Sequence, residues 1–491
     1  MSSSSQQRQR LSKSKRREIR LRRDAKARRA CRQLHENVAL LPDSLRSFFT
    51  LFAPSFTKPT LLRFTLLAVA AILTVGPSTV CNLLRTLGRL APGDPSSYHR
   101  VFSSRRWSLR SLSRALAGWI FDHLVADGPI LLAADDTVSE HPGDKVHGKS
   151  CHRDAVRSSH SFTAFRWGHK WLVVAVLVHF PWTCRYWALP LFVALCRSKK
   201  DDEKAKRRHR TPAESLKLIL FVLRRWFPDR TFLLAADGGF ATHDLAGFAT
   251  RQKQKLSLVS RFYKNASLYE LPPVPVLKAN GKKPNGRPRV KGAKLDTPEE
   301  AVAKAKERTK LRVTWYGGGV RDVEVMTATG HWYKSGEGLV LVRWVLVRDQ
   351  TEKPRDEYFF TTDVNMTAQE VIETYAKRWN LETTFQEMRS QIGLETTRGW
   401  KKETVLRAEP CLFGLYSVVV CLFSMLPEAG EKKGGVDWQG KENVTFSDAM
   451  RAVRKWLWRT WVFQACGQRE AFEKLAPEFQ ELILNGLAPA A

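Results

Sequence analysis

The pentapeptide Leu-Leu-Ala-Ala-Asp occurs twice in this chain, at 131–135 and 233–237, and each copy ends an apolar run at a carboxylate. A short continuous apolar run fits a strand buried on both faces, and its abrupt end places an acid at a sheet edge. Far downstream, Tyr375-Ala-Lys-Arg378-Trp-Asn-Leu-Glu382 lies in a long helical pattern that can supply a third carboxylate. Two strand-end aspartates and a helical glutamate in a strongly basic chain point to divalent-metal phosphodiester chemistry on DNA.

The basic character is large: 81 Lys and Arg against 48 Asp and Glu leave a net charge of +33, so a polyanion is the natural partner. An anionic membrane would fit that charge as well as nucleic acid does. A spanning helix is disfavoured, because the longest apolar run, Cys411 to Leu426 between Pro410 and Pro427, is shorter than the roughly 20 residues a bilayer needs. It reads as a buried core helix. The N-terminus has no apolar core followed by a cleavage site, so no secretory signal is read and a cytosolic or nuclear location is expected. The eight cysteines form no Cys-x-x-Cys pair, so reduced thiols are expected. His147, Cys151, His152 and His160 are dense enough to notice, but their spacing matches no common zinc pattern.

With 491 residues the chain should divide into about three domains. Residues 1–35 are rich in Arg and Lys and poor in large apolar side chains, which predicts a disordered basic arm that touches DNA, or else a solvated tail or nuclear-localisation-like patch. Residues 36–125 read as a helical DNA-binding domain broken at Pro54, Pro59, Gly76-Pro77 and Pro92-Gly93-Asp94-Pro95. In it, Thr74 to Arg85 fits the turn and second helix of a helix-turn-helix as well as it fits a plain bundle. Residues 126–262 alternate strands with helices, an α/β pattern. Trp171 to Phe180 and Tyr186 to Leu195 read as antiparallel neighbours, and Thr211-Pro212-Ala-Glu214 as the capped start of a helix. Residues 263–362 turn to Pro, Gly and Lys with β-like runs at Leu311–Tyr316, Val320–Thr327, Leu339–Val347 and Tyr358–Thr361, a β-rich insertion. Its Gly286-Arg287-Pro288 resembles the core of minor-groove hooks, or is a flexible basic loop. The core resumes over 363–426, and 427–491 form a C-terminal helical region in which Arg451 to Trp461 mixes basic and aromatic side chains. That segment fits DNA, a second subunit or ordinary packing.

Thr367-Ala-Gln-Glu370 is a capping box and Gly393 a helix stop, so one helix is expected over 368–392. Tyr375, Arg378, Glu382 and Arg389 follow at steps of 3, 4 and 7 residues, which puts all four within an arc of about 60°. Glu387 is turned about 140° from Glu382 and should face elsewhere. An Arg378–Glu382 pair alone would also suit an ordinary exposed helix.

These residues resemble the DDE transposases of cut-and-paste insertion sequences, in the subgroup with a Tyr-x2-Arg-x3-Glu-x6-Lys pattern. Tyr375, Arg378 and Glu382 match it, as do Asp135-Asp136-Thr137 and Asp237-Gly238-Gly239-Phe240 as the two earlier acidic elements. Arg389 stands where the pattern has lysine, which keeps the charge and replaces an ammonium by a planar fork suited to phosphate. The resemblance covers roughly residues 100–425. It implies a ribonuclease H-like α/β core, a mixed sheet flanked by helices, interrupted by the β-rich insertion before the glutamate; the N-terminal helical DNA-binding region read from the pattern precedes it.

The ligand reading is Asp135, Asp237 and Glu382 on two Mg²⁺ ions, with Mn²⁺ able to substitute, and Tyr375, Arg378 and Arg389 on a DNA phosphate. Asp136, on the opposite face of the strand, is the poorer candidate. Trp379 and Trp400 could stack on an extruded base, although tryptophans on such a helix more often belong to the core. The resemblance further implies cleavage at transposon ends and attack of the freed 3′-hydroxyl on target DNA. The expected partners are double-stranded terminal repeats and target DNA, with the protein a homodimer in the synaptic complex, in the bacterial cytoplasm at the nucleoid and away from membranes. A ribonuclease H-like nuclease or a domesticated transposase without strand transfer is the competing reading.

Overall fold

The computed structural model describes residues 13–153, 158, 161–274, 288–349, 355–427, 441 and 443–489. They form two compact units, one built from residues 112–450 and the other from the chain up to 111 together with residues 451–490.

The larger unit is a mixed α/β fold around an eleven-stranded sheet. In chain order its strands are β1 (Ile130–Glu140), β2 (Ser150–Arg153), β3 (Phe165–His179), β4 (Tyr186–Cys196), β5 (Phe232–Ala236), β6 (Leu256–Arg261), β7 (Leu268–Tyr269), β8 (Thr309–Thr314), β9 (Val320–Lys334), β10 (Gly338–Asp349) and β11 (Arg355–Thr361). The spatial order is β2-β3-β1-β5-β6-β11-β10-β9-β7, with β4 on β3 and β8 on β9. β1, β5 and β6 run parallel, while β3 is antiparallel to both β1 and β4. The crossover from β4 to β5 runs through the helix Pro212–Trp226. There Thr211 Oγ1 accepts from the Glu214 N–H at 3.2 Å and Glu214 accepts from the Thr211 N–H at 2.8 Å, the reciprocal cap that the sequence predicts.

The β-rich segment is not a separate layer. β11 pairs with β6 through Phe360↔Ser260 and continues the same sheet into the β9–β10 hairpin, because Phe359 and Phe360 are as apolar and buried as the core strands they join. Arg287 of the Gly-Arg-Pro element lies outside the described residues. The long apolar helix also differs from expectation: it spans Lys402–Ser424 and carries Pro410 inside it. Among the described residues it is the helix long and apolar enough to cross a membrane, and most of its apolar stretch is buried within the fold. Ser417 donates to the Pro190 carbonyl of β4 at 2.8 Å, fixing that helix on the sheet.

The smaller unit is helical. Composition predicts an unstructured arm through residue 35, yet the chain is helical over Lys13–Ala39. Arg, Lys, Ala, Leu and Glu are strong helix formers, and the last turns are anchored by fully buried Leu34 and by Asn37, which donates to the Leu90 carbonyl at 2.9 Å. Helices Lys58–Leu73, Val80–Leu87 and Pro95–Ser103 follow, with Thr79 and Asp94 accepting from the backbone at the last two N-termini. Residues after 450 complete this unit. Trp461 donates to the Asn37 carbonyl at 3.0 Å, and the enclosed Arg454 guanidinium donates to the carbonyls of Ile72 (2.6 Å), Pro489 (3.2 Å) and Thr74 (3.3 Å). Burial pushes the Arg454 pKa down to about 10.

Candidate active site

The two Leu-Leu-Ala-Ala-Asp copies lie side by side and in register. Leu131 pairs with Leu233, Leu132 with Leu234, Ala133 with Ala235 and Ala134 with Ala236, so the next residues, Asp135 and Asp237, emerge together at one edge of the parallel pair. Neighbouring strands sit about 4.8 Å apart. β1 runs on past Asp135 against β3, whereas β5 ends and Gly238–Phe240 turns away. Alternation along β1 carries Asp136 to the other face, where it meets Lys170 Nζ at 2.9 Å.

The third acid arrives on a helix that is not continuous. It runs over Ala368–Lys377, tightens at Arg378-Trp379, resumes over Asn380–Glu387 and widens into a π turn over Met388–Ile392, with Gly393 in the left-handed region at φ 74°. At the tightening, the Arg378 N–H bonds to the Tyr375 carbonyl and the Trp379 N–H to that of Ala376, three residues back.

Arg378 occupies the centre. One guanidinium nitrogen donates to Asp135, and the other lies 3.2 Å from Glu382 and 3.6 Å from Asp237. All three carboxylates thus share one cation. Burial pushes the Asp135 pKa up to about 7; Arg378 opposes the rise, while the nearby Asp237 and Glu382 charges add to it. Burial raises Glu382 too, against the pull of Arg378. Arg378 itself is held more firmly protonated than usual: its carboxylate neighbours outweigh its own burial.

Tyr375 is 1 % exposed and its ring packs 4.6 Å from that of Phe359. Its hydroxyl donates to Asp237 at 3.3 Å, and burial raises its pKa so that it keeps its proton. Tyr375 and Arg378, both expected on phosphate, are therefore engaged with the acids. Arg389 is tied down as well, donating to Glu395 at 2.9 Å, to Thr137 Oγ1 at 2.7 Å and to the Val138 carbonyl at 3.3 Å. Thr137 shares the β1 face of Asp135, so Arg389 grips the strand that carries the first acid. Arg389→Ala should lower cleavage strongly while Arg389→Lys keeps a substantial part, since lysine retains the charge and one of these contacts but loses the fork. Single-turnover cleavage rates of the two variants measure this, and an alanine variant equal to wild type removes Arg389 from the site.

The solvent-facing cation is one that the spacing of acidic residues did not reveal. Arg261 ends β6 as Asp237 follows β5, and parallel neighbours deliver their ends to one edge. Its guanidinium lies 6.0 Å from the Tyr375 ring centre and 3.3 Å from Glu357. The charges of Tyr375, Glu357, Tyr316 and Asp237 raise its pKa despite the cost of its own burial. The signal in the sequence is an apolar run closing on arginine, which many unrelated strands share. Trp379 and Trp400 are not core residues: they are 44 % and 59 % exposed, and Trp379 lies 5.4 Å from Tyr316. Glu387 faces away from the acids, as its rotation predicts, and accepts from Arg185 at 2.6 Å and from Tyr416 at 2.7 Å.

Three carboxylates around one positive group offer the hard oxygen donors that a divalent cation takes, and Arg378 marks where positive charge is stabilised. Among the described residues no three His, Cys, Asp or Glu side chains converge closely enough to hold a metal ion. The Arg378 guanidinium stands between the three carboxylates, in the place a shared cation would take. His160 of the His/Cys cluster lies outside the described residues.

No curated protein matches the chain. Among solved structures, the piggyBac transposase synaptic complex with hairpin DNA aligns over 94% of this chain and 84% of that one, at 11% identity and a TM-score of 0.36. Residues 333–409 match the family model described as "Archaeal putative transposase ISC1217". Residues 51–321, more than half of the sequence, match the model described as DDE superfamily endonuclease. The chain belongs to the DDE superfamily endonucleases.

Proposed function

We propose that this protein is a DNA transposase that nicks the ends of its element and joins the freed 3′-hydroxyl to target DNA. The observation carrying this reading is the in-register pairing of the two acidic strand ends, with Glu382 brought to the same guanidinium. The strand order β4-β3-β1-β5-β6, in which β3 alone runs against the others, supports a ribonuclease H-like core.

Asp135, Asp237 and Glu382 are the residues that would hold divalent ions, Mg²⁺ or Mn²⁺; when bound, such ions activate a water or a 3′-hydroxyl and stabilise the departing oxygen. The chain supplies the rest. Arg261 faces solvent beside Asp237 and receives the incoming phosphate, where a guanidinium makes charge-assisted bonds. Arg378 leaves the carboxylates for that phosphate as DNA enters. Tyr375 keeps its proton and orients Asp237, and Arg389 fixes β1. The N-terminal helical unit holds terminal DNA, and two copies pair the ends.

The test uses full-length protein and a plasmid carrying the DNA that flanks the coding region. In Mg²⁺ or Mn²⁺, nicks at the element's ends and joined products are expected. Nicks without joined products would favour the nuclease reading, and no cleavage in either metal would sink both.

The exposed first part of the helix Lys13–Ala39 should contact phosphates without reading sequence. Deleting residues 1–28 spares the buried Leu34 and should weaken binding to all duplexes alike. Each lost phosphate contact should flatten the slope of log affinity against log salt by about 0.9. Titration at several salt concentrations checks this, and an unchanged slope would place the segment away from DNA.

A further inference from the structure

The ribbon of β2 and β3 extends past the end of β1, whose last ladder pair is Glu140↔Gly168. Gly168 permits the close crossing there, since a Cβ would lie 2.0 Å from the Ser139 carbonyl oxygen. Beyond it, β3 pairs with β2 through Cys151↔Trp167 and Arg153↔Phe165. Phe165 and Trp167, two residues apart, project from one face and are 64% and 61% exposed. Arg153 lies directly across from Phe165 on that face and is exposed as well. A cavity of about 620 Å³ opens beside the two rings, lined also by His141, Pro142 and Lys149. Of the acids at its rim, Glu140 is neutralised by Arg166 at 2.8 Å, leaving Asp144.

Strand residues at i and i+2 are about 6.7 Å apart. That is twice the thickness of a stacked aromatic layer, so the strand spacing leaves room for one flat ring between Phe165 and Trp167. We propose that this ribbon is a binding site for an unpaired nucleotide of a DNA strand, with its base between the two rings and its phosphates on Arg153 and Lys149. The bases of an intact duplex hide their faces in their own stack, so exposed rings of this kind select unpaired ones. His141 follows Asp135 by six residues, about 20 Å along an extended strand, so the site is separate from the carboxylates. It would hold a strand that has come apart next to the scission point. The occupant rests on the DNA-processing function proposed above; the register and exposure of Phe165 and Trp167 do not.

The test is binding of a fluorescent oligothymidylate of about 12 nucleotides to full-length protein, followed by anisotropy in EDTA. Trp167→Ala and Phe165→Ala should each weaken it about tenfold, and Trp167→Phe should recover most of the loss. Affinity for a blunt duplex of the same length should be unchanged in all three. Full oligothymidylate affinity in the Phe165→Ala, Trp167→Ala double variant would overturn the proposal. So would equal losses on the duplex, or a loss confined to self-association in sedimentation, which would make the patch a protein interface. Because EDTA and a sequence-neutral strand are used, the result stands whether or not the carboxylates cleave DNA.

Discussion

Asp135→Asn, Asp237→Asn and Glu382→Gln are each expected to reduce metal-dependent cleavage and strand transfer about 10³-fold or more, while Glu387→Gln leaves the cleavage chemistry largely in place. The first three remove an anionic oxygen from the set that surrounds Arg378. None alters the exposed basic surface, so duplex binding in EDTA should persist. Glu387 is also enclosed, but its partners are Arg185 and Tyr416. Its glutamine variant keeps the shape and loses the charge opposite Arg185, a stability cost of about 2 kcal/mol or more. The decisive comparison is a melting curve and a single-turnover rate for each variant on one terminal-DNA substrate. An inactive but fully stable Glu387→Gln, or an active Glu382→Gln, would show that the wrong acid has been assigned.

Arg454→Met is expected to destabilise the helical unit by about 3–5 kcal/mol, since it strips the donor from three carbonyls at once, two of them in buried contacts. Arg454 holds Ile72, Thr74 and Pro489. Methionine fills much of the volume but donates nothing, and two of these carbonyls belong to the end of the helix Lys58–Leu73, where backbone acceptors have no partner within the helix. Hydrogen exchange should then quicken in Lys58–Leu73 and Val80–Leu87 while β1, β3 and β5 stay protected. Uniform loss of protection across both units would mean that they unfold as one.

The strand ends at Asp135 and Asp237 were legible because apolar runs, alanines and a terminal acid are local properties. Their side-by-side register was not, since pairing depends on the crossover from β1 to β5. The 3.6-residue period correctly separates Glu382 from Glu387. It says nothing of depth, and so could not show that Tyr375 is enclosed and that Arg378 lies inside the ring of acids. The tightening at Arg378-Trp379 was equally hidden, because neither residue is a helix breaker. Arg261 was missed because its position matters only through the neighbouring strand. In the helix Lys13–Ala39, composition was misleading: charge density argues for disorder, and two residues near its end, Leu34 and Asn37, supply the anchor.

The helical unit takes its residues from both sides of the sheet-bearing one, up to 111 and again over 451–490. On the ribosome this imposes an order. The sheet-bearing unit can close once residue 450 has emerged, whereas the first helices made must wait for Arg454 and Trp461 before Ile72, Thr74 and Asn37 find their partners. Lys58–Leu73 packs on Lys13–Ala39, Val80–Leu87 and Pro95–Ser103, so what the last residues made add is the bonding of these three carbonyls. A chain that stopped before residue 451 would lack Arg454 and Trp461, and the carbonyls of Ile72, Thr74 and Asn37 would lose the donors that hold them.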